Sequence, residues 1–142
     1  MNLNTSVLTL VDTLRKSYNA SLSALSHEEG LSVSEGAIIS FLKCNPGCDE
    51  AHQIVKLLKL RKGNVSTAVQ SLEKKGYLLI LKDKKDKRRT HLSLTKKADP
   101  LVAKILAMRK EFLSSLTKGL SEGEIASFSA TLEKIAENLP HE

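Results

Sequence analysis

The densest chemistry in this chain lies in two adjacent stretches. Residues 62–76 read KGNVSTAVQSLEKKG, in which Val65, Ala68, Val69 and Leu72 recur at helical spacing. The other side of that helix carries Asn64, Thr67, Gln70, Ser71 and Lys74, with Lys62 and Ser66 flanking its first turn. These side chains are short, mostly neutral and rich in donors and acceptors, which suits them to base edges in a major groove. The first turn also presents backbone N–H groups to a phosphate. Shortly after comes DKKDKRR, residues 83–89, where Lys84, Lys85, Lys87, Arg88 and Arg89 crowd five cations into seven positions. Such crowding costs self-repulsion that phosphates relieve, and an arginine fits the negative potential of a narrow minor groove. Taken alone, the helix reads more readily as an ordinary amphipathic helix with a solvated polar face, and the loop also reads as a solvated charged turn. Their adjacency favours a nucleic-acid surface.

Charge is distributed to match. Residues 55–97 hold 14 Lys/Arg against three acids (Glu73, Asp83, Asp86), a net of +11. The rest holds 8 basic and 13 acidic residues, a net of −5, which leaves the chain at +6. A basic middle between acidic ends fits a module that grips a polyanion.

A second constellation is Cys44-x3-Cys48-x3-His52, around Asn45-Pro46-Gly47. Cys48 precedes a helix start, whose positive end would lower a thiol pKa and make it reactive. A redox switch through Cys44 and Cys48 is one reading; a soft-metal site with His27, Glu28 or Glu29 is another. The third is plain packing, with Cys44 continuing an apolar helix face. The spacing matches no established zinc pattern, so no metal is assigned. No Ser/His/Asp constellation or phosphate-cradling glycine loop is present, and His27, His52, His91 and His141 share no evident pocket. An enzyme is not expected, nor a cofactor.

Positioning these residues requires a mainly helical fold. Aromatics supply only 4% of a 41% hydrophobic composition, so Leu, Ile, Val and Ala must build the core, which favours helices. A helical stripe runs through Val7, Leu8, Val11, Leu14, Tyr18, Leu22 and Leu25. Ser32-Val-Ser-Glu35 reads as a capping box opening a second helix through Ile38, Ile39, Phe41 and Leu42. Asp49 is the candidate cap of a short third helix with Ile54, Val55, Leu57 and Leu58. Residues 62–75 form the fourth, ended by Gly76. Residues 77–82 and 90–94 are two short strands around the basic loop. Thr95 caps a long helix to about residue 117, with Leu101, Ile105, Met108, Phe112 and Leu116 inside. Ser121-Glu-Gly-Glu124 opens a last helix with Ile125, Phe128, Leu132 and Ile135 inside. A helix-turn-helix followed at once by a hairpin is a winged helix, and the long outer helices lack a partner in their own chain.

The 142 residues suit one domain. The opening MNLNTS lacks the basic-then-apolar pattern of a signal peptide, and no run approaches the roughly 18 apolar residues of a membrane span. A cytoplasmic protein without membrane association is expected.

The run LKLRKGNVSTAVQSLEKKGYL followed by DKRRTHLSLT resembles the MarR (multiple antibiotic resistance regulator) family of bacterial winged-helix proteins. The family pattern, a helix ending Leu-Glu-Lys-Lys-Gly, then Asp-x-Arg and Leu-Thr, falls here on residues 72–76, Asp86-Lys-Arg88 and Leu94-Thr95. The resemblance implies a homodimer on a double-stranded DNA operator, with dimerisation helices at about residues 1–30 and 96–142 and a winged-helix head at about 31–95. It implies that Gly63, Asn64, Ser66, Thr67 and Gln70 face the major groove or its phosphates. Arg88 would be the wing-tip arginine, buttressed by Asp86, and the output would be repression of transcription. It also implies a small-molecule effector in a cleft between the dimerisation helices and the head, for which Tyr18, His27 and Phe41 are the candidate lining. Thr67 stands where many relatives have Arg, and Gly63 where Ser or Thr is usual, so an operator sequence does not carry over. The alternative is a protein-interaction adaptor that keeps the winged-helix shape without binding DNA.

Overall fold

The computed structural model of the chain describes residues 3–140, with side chains from residue 6 onward; His141 lies outside the described residues. The order is α1 (Leu3–Glu28), α2 (Val33–Cys44), α3 (Ala51–Leu58), α4 (Lys62–Lys74), β1 (Leu78–Lys82), β2 (Thr90–Leu94), α5 (Asp99–Leu116) and α6 (Glu122–Glu137). This is the mainly helical winged helix-turn-helix with one small hairpin that the sequence implies.

Local chemistry sets the boundaries. The Ser32 hydroxyl accepts from the Glu35 N–H at 3.2 Å, and the Glu35 carboxylate accepts from the Ser32 N–H at 2.8 Å, closing the box that opens α2. Ser121 and Glu124 repeat the arrangement at α6, with distances of 3.3 and 2.8 Å. At the end of α4, Gly76 adopts φ +81°, where a side chain would be strained. Its N–H reaches the Glu73 carbonyl, and the Tyr77 N–H reaches that of Leu72, each at 2.9 Å. This paired closure turns the chain straight from the helix into β1.

Two boundaries differ from the sequence reading. The cap of α3 is Glu50 rather than Asp49, and its N–H donates to Gln53 Oε1 at 2.9 Å. Asp49 is drawn away because its carbonyl accepts from the Leu92 N–H at 2.7 Å and its carboxylate meets His91. Thr95 does not cap a long helix either. Its hydroxyl donates to the Gly76 carbonyl at 2.6 Å, a 3-10 turn occupies Lys96–Ala98, and α5 starts only at Asp99. Tying the hairpin to the end of α4 has taken the capping group.

The chain forms two compact units that divide between Met108 and Arg109. In the first, Ile38, Ile39, Ile54, Val65, Leu72, Leu78 and Ile105 are fully buried and join α2, α3, α4, β1 and the start of α5 in one core. The second half of α1 lies against α2 through a close approach, since a Cβ on Gly36 would fall 1.8 Å from the buried Ser26 Oγ. Two apolar stripes are not interior in this chain. Val7, Leu8 and Val11 of α1 are exposed, and so are Phe128, Leu132 and Ile135 of α6, where no residue is buried. No described helix is long and apolar enough to cross a membrane.

Candidate nucleic-acid interface

Burial of Val65, Ala68, Val69 and Leu72 fixes the rotation of α4, so its polar side must face outward. Lys62, Gly63, Asn64, Ser66, Thr67, Gln70 and Lys74 are all exposed, and Ser71 is half-buried. The helix begins at Arg61 with no side-chain cap, which leaves its first-turn N–H groups open to an anion. A hollow of about 450 Å³ separates the same face from the start of α2, between Ser32, Ser34, Asn64, Thr67, Ser71 and Lys75. Lys75 closes its base by donating to both oxygens of buried Glu35, at 3.0 and 2.9 Å. Burial works against the Glu35 charge, but bonds from Ser71, the Ser32 backbone and Lys75 outweigh it and lower the pKa.

The hairpin pairs Leu78 with Leu94, Ile80 with Leu92 and Lys82 with Thr90. Its basic loop is ordered by its two acids. Asp83 Oδ1 accepts from the Lys85 N–H at 2.7 Å and the Asp86 N–H at 2.9 Å, an Asx-type turn. Asp86 Oδ1 accepts from the Arg88 N–H at 3.0 Å and from its Nε at 3.3 Å, so the buttressing ion pair is present. Lys84, Lys85, Lys87 and Arg88 point to solvent, with the Arg88 side chain 93% exposed.

Arg89 is different. Its guanidinium grips the buried Glu50 carboxylate through both Nε, at 3.0 Å, and Nη2. Arg89 therefore anchors the loop rather than standing free with the other cations. Its bond holds the Glu50 carboxyl below the ordinary range against the opposing effect of burial, and raises the guanidinium in return.

A further set of residues was not assigned from sequence. A β-bridge between Glu50 and His91 brings the turn before α3 against β2. There His91 Nδ1 lies 2.9 Å from Asp49 Oδ1, and Nε2 lies 2.8 Å from Asp83 Oδ2. Asp49 first and Asp83 second raise the imidazole pKa. Asp83 is pulled well below the carboxylate range by the Asp86 N–H, then His91, then the Lys85 N–H. The alternation of β2 puts Leu92 inward and His91 outward, but nothing in the sequence says which segment will meet that outward side.

Between α3, α4 and the hairpin lies a cleft of about 810 Å³. Val55, Val65, Val69, Ile80 and Leu92 line it, together with Lys62, Gln70, Arg88 and Arg89. The residues proposed for an effector cleft are not brought together there. The Tyr18 hydroxyl is 3.2 Å from Ser40 Oγ, Phe41 is buried in the core, and His27 is exposed on the last turn of α1. Cys44 and Cys48 are half-buried free thiols. Among the described residues, the trio of metal-type donors gathered within 4.8 Å is Asp49, Glu50 and His91, which contains neither cysteine. Those donors already serve one another, Asp83 and Arg89, so the cluster reads as a salt-bridge network.

Comparison with known proteins gives a consistent family. A model of the MarR family matches residues 29–89, from just after α1 to the end of the basic loop. The chain is 30% identical over 116 residues to the HTH-type transcriptional regulator YkoM of Bacillus subtilis (strain 168), covering 82% of this chain and 75% of that protein. Among solved structures it is similar to a MarR protein from Peptoclostridium difficile, with a TM-score of 0.76 and 25% identity over 97% of this chain and 90% of that one. A MarR family transcriptional regulator from Listeria monocytogenes, solved with a 26mer DNA, gives a TM-score of 0.76 and 23% identity, covering 92% of this chain and 87% of that one.

Proposed function

Since the chain belongs to the MarR family of transcriptional regulators, we propose that it is a homodimeric repressor of an inverted-repeat operator, released by a small ligand or an oxidant. One observation carries this reading: the outward polar face of α4 stands beside a wing whose loop is ordered while its cations stay exposed. Gly63, Asn64, Ser66, Thr67 and Gln70 meet the major groove or its phosphates, with Lys62 and Lys74 at the flanks. Arg88, held by Asp86, enters the minor groove, and Lys84, Lys85 and Lys87 meet phosphates. The DNA complex of the Listeria relative supports this use of the fold.

The head is about residues 31–95, and the helices at about 1–30 and 96–142 join two subunits. A second copy covers the exposed Val7, Leu8 and Val11 of α1 and Phe128, Leu132 and Ile135 of α6. Two copies of α4 then enter major grooves about one turn, roughly 10 base pairs, apart. Repression follows from blocking polymerase, and an effector acts by favouring a spacing of the two heads that DNA does not match. The half-buried, unpaired thiols of Cys44 and Cys48 support the oxidant branch.

Gel shifts with a duplex from the chain's own upstream region, over a series of salt concentrations, test the DNA reading. Binding should fall steeply as salt rises. Failure to prefer any duplex, even at low ionic strength, would leave the adaptor reading in its place. If neither Cys44→Ser nor Cys48→Ser alters the response of binding to peroxide, the oxidant branch falls.

A further inference from the structure

We infer that His91 is the positioning residue of the wing: protonated on both ring nitrogens it ties the turn before α3 to the root of the basic loop, and loss of one proton loosens the wing and weakens DNA binding. This rests on the proposed use of the wing on DNA.

The argument begins with donor inventory. A neutral imidazole has one N–H and one lone pair, whereas an ionised carboxylate only accepts. His91 faces a carboxylate oxygen at each nitrogen, Asp49 at 2.9 Å and Asp83 at 2.8 Å. Only the imidazolium can donate to both. Once neutral, whichever nitrogen is bare confronts an oxygen lone pair at hydrogen-bond distance, and one contact must open. Glu50 also lies near the ring, with its partners Arg89 and His52, the latter 3.4 Å from Glu50. The net surroundings favour the cation, in keeping with the raised imidazole pKa.

The Asp83 contact carries the consequence. While Oδ2 meets His91, the other oxygen of the same carboxylate holds the Lys85 and Asp86 N–H groups, and Asp86 in turn holds Arg88. Freeing that carboxylate therefore disturbs the loop that presents the wing-tip arginine. Glu50–Arg89 and the Leu92–Asp49 backbone bond persist, so the wing loosens without unfolding. Linkage requires the reverse effect too: DNA that favours the ordered wing must raise the proton affinity of His91 by the same factor.

The test uses the full chain and a labelled duplex from its own upstream region, comparing wild type with His91→Gln between about pH 6 and about pH 9, the range where a raised histidine titrates. Wild-type affinity should fall about fivefold or more across that range. His91→Gln, which keeps a neutral donor for only one carboxylate, should bind at the weaker level with a flat profile. Proton–nitrogen NMR of the wild-type ring should show a titration midpoint above the ordinary histidine value, with both nitrogens protonated below that midpoint, and the midpoint should move up when duplex is added. Parallel pH profiles for the two proteins overturn the inference, as does a ring that is already mostly neutral at about pH 6.5. Absence of duplex binding at every pH overturns instead the DNA reading on which the inference stands, and the ring titration of the free protein still decides whether the clamp exists.

Discussion

Arg88 and Arg89 are adjacent in sequence and opposite in setting. Arg88 is almost wholly exposed and held by its neighbour Asp86, whereas Arg89 turns back to neutralise a buried carboxylate. Their alanine variants should therefore fail differently. Arg88→Ala should weaken duplex binding by roughly tenfold and reduce the slope of log affinity against log salt by about one, because one cation leaves the interface. Its thermal midpoint should stay at the wild-type value. Arg89→Ala leaves the buried Glu50 carboxylate without its guanidinium partner, and that loss destabilises the fold. That variant should melt at a lower temperature, and the deficit should shrink in acid as Glu50 protonates. Equal losses of binding and equal melting curves for the two variants would erase the distinction.

At the scale of elements, the wing and the α1–α2 contact make separate predictions. Asp83 is depressed by its bonds, so its stabilisation is complete above the ordinary carboxylate range near pH 4 and is lost as pH falls through its folded value. His91 is raised, so its share is complete below about pH 6.5 and is lost as pH rises through its folded value. The wing is then tightest between roughly pH 4 and 6.5. Amide exchange at Asp83 and Arg89, corrected for intrinsic rates, should be slowest in that window, and flat protection would contradict the assignment. In the α1–α2 contact, Ser26 cannot yield easily to a Cβ at Gly36, because its hydroxyl is bonded to the Leu22 carbonyl at 2.7 Å and its own Cβ would lie 2.8 Å away. Gly36→Ala should cost about 1–3 kcal/mol in chemical denaturation as the helices are forced apart. These elements also show what sequence can reveal. The Ser32 and Ser121 boxes, the inner face of α4, the Gly76 turn and the hairpin each depend on residues within a few positions, and all were legible. Asp49, Thr95 and His91 depend on partners far along the chain, so local rules gave Asp49 and Thr95 capping roles that tertiary bonds displaced.

On the scale of the whole molecule, α6 poses the sharpest question. It is a 16-residue helix with no buried residue, and helices of about that length are marginal in water without a packed face. Phe128, Leu132, Ile135 and the neighbouring Leu139 are all exposed, an arrangement that water does not favour for a capped amphipathic helix. In the proposed homodimer a second copy of the chain would cover the stripe, and the same assembly would supply the second α4 that an inverted repeat needs. Leu132→Glu combined with Ile135→Glu places two charges in that stripe without touching the head. Sedimentation equilibrium should then report a monomer, and circular dichroism should lose helix from the exposed end. Duplex affinity should drop by about a hundredfold or more, because each head must bind without the effective concentration supplied by the other. A variant that remains dimeric would mean that a different surface joins the subunits. A monomer with undiminished affinity would mean that one head suffices, and the inverted-repeat operator would no longer follow.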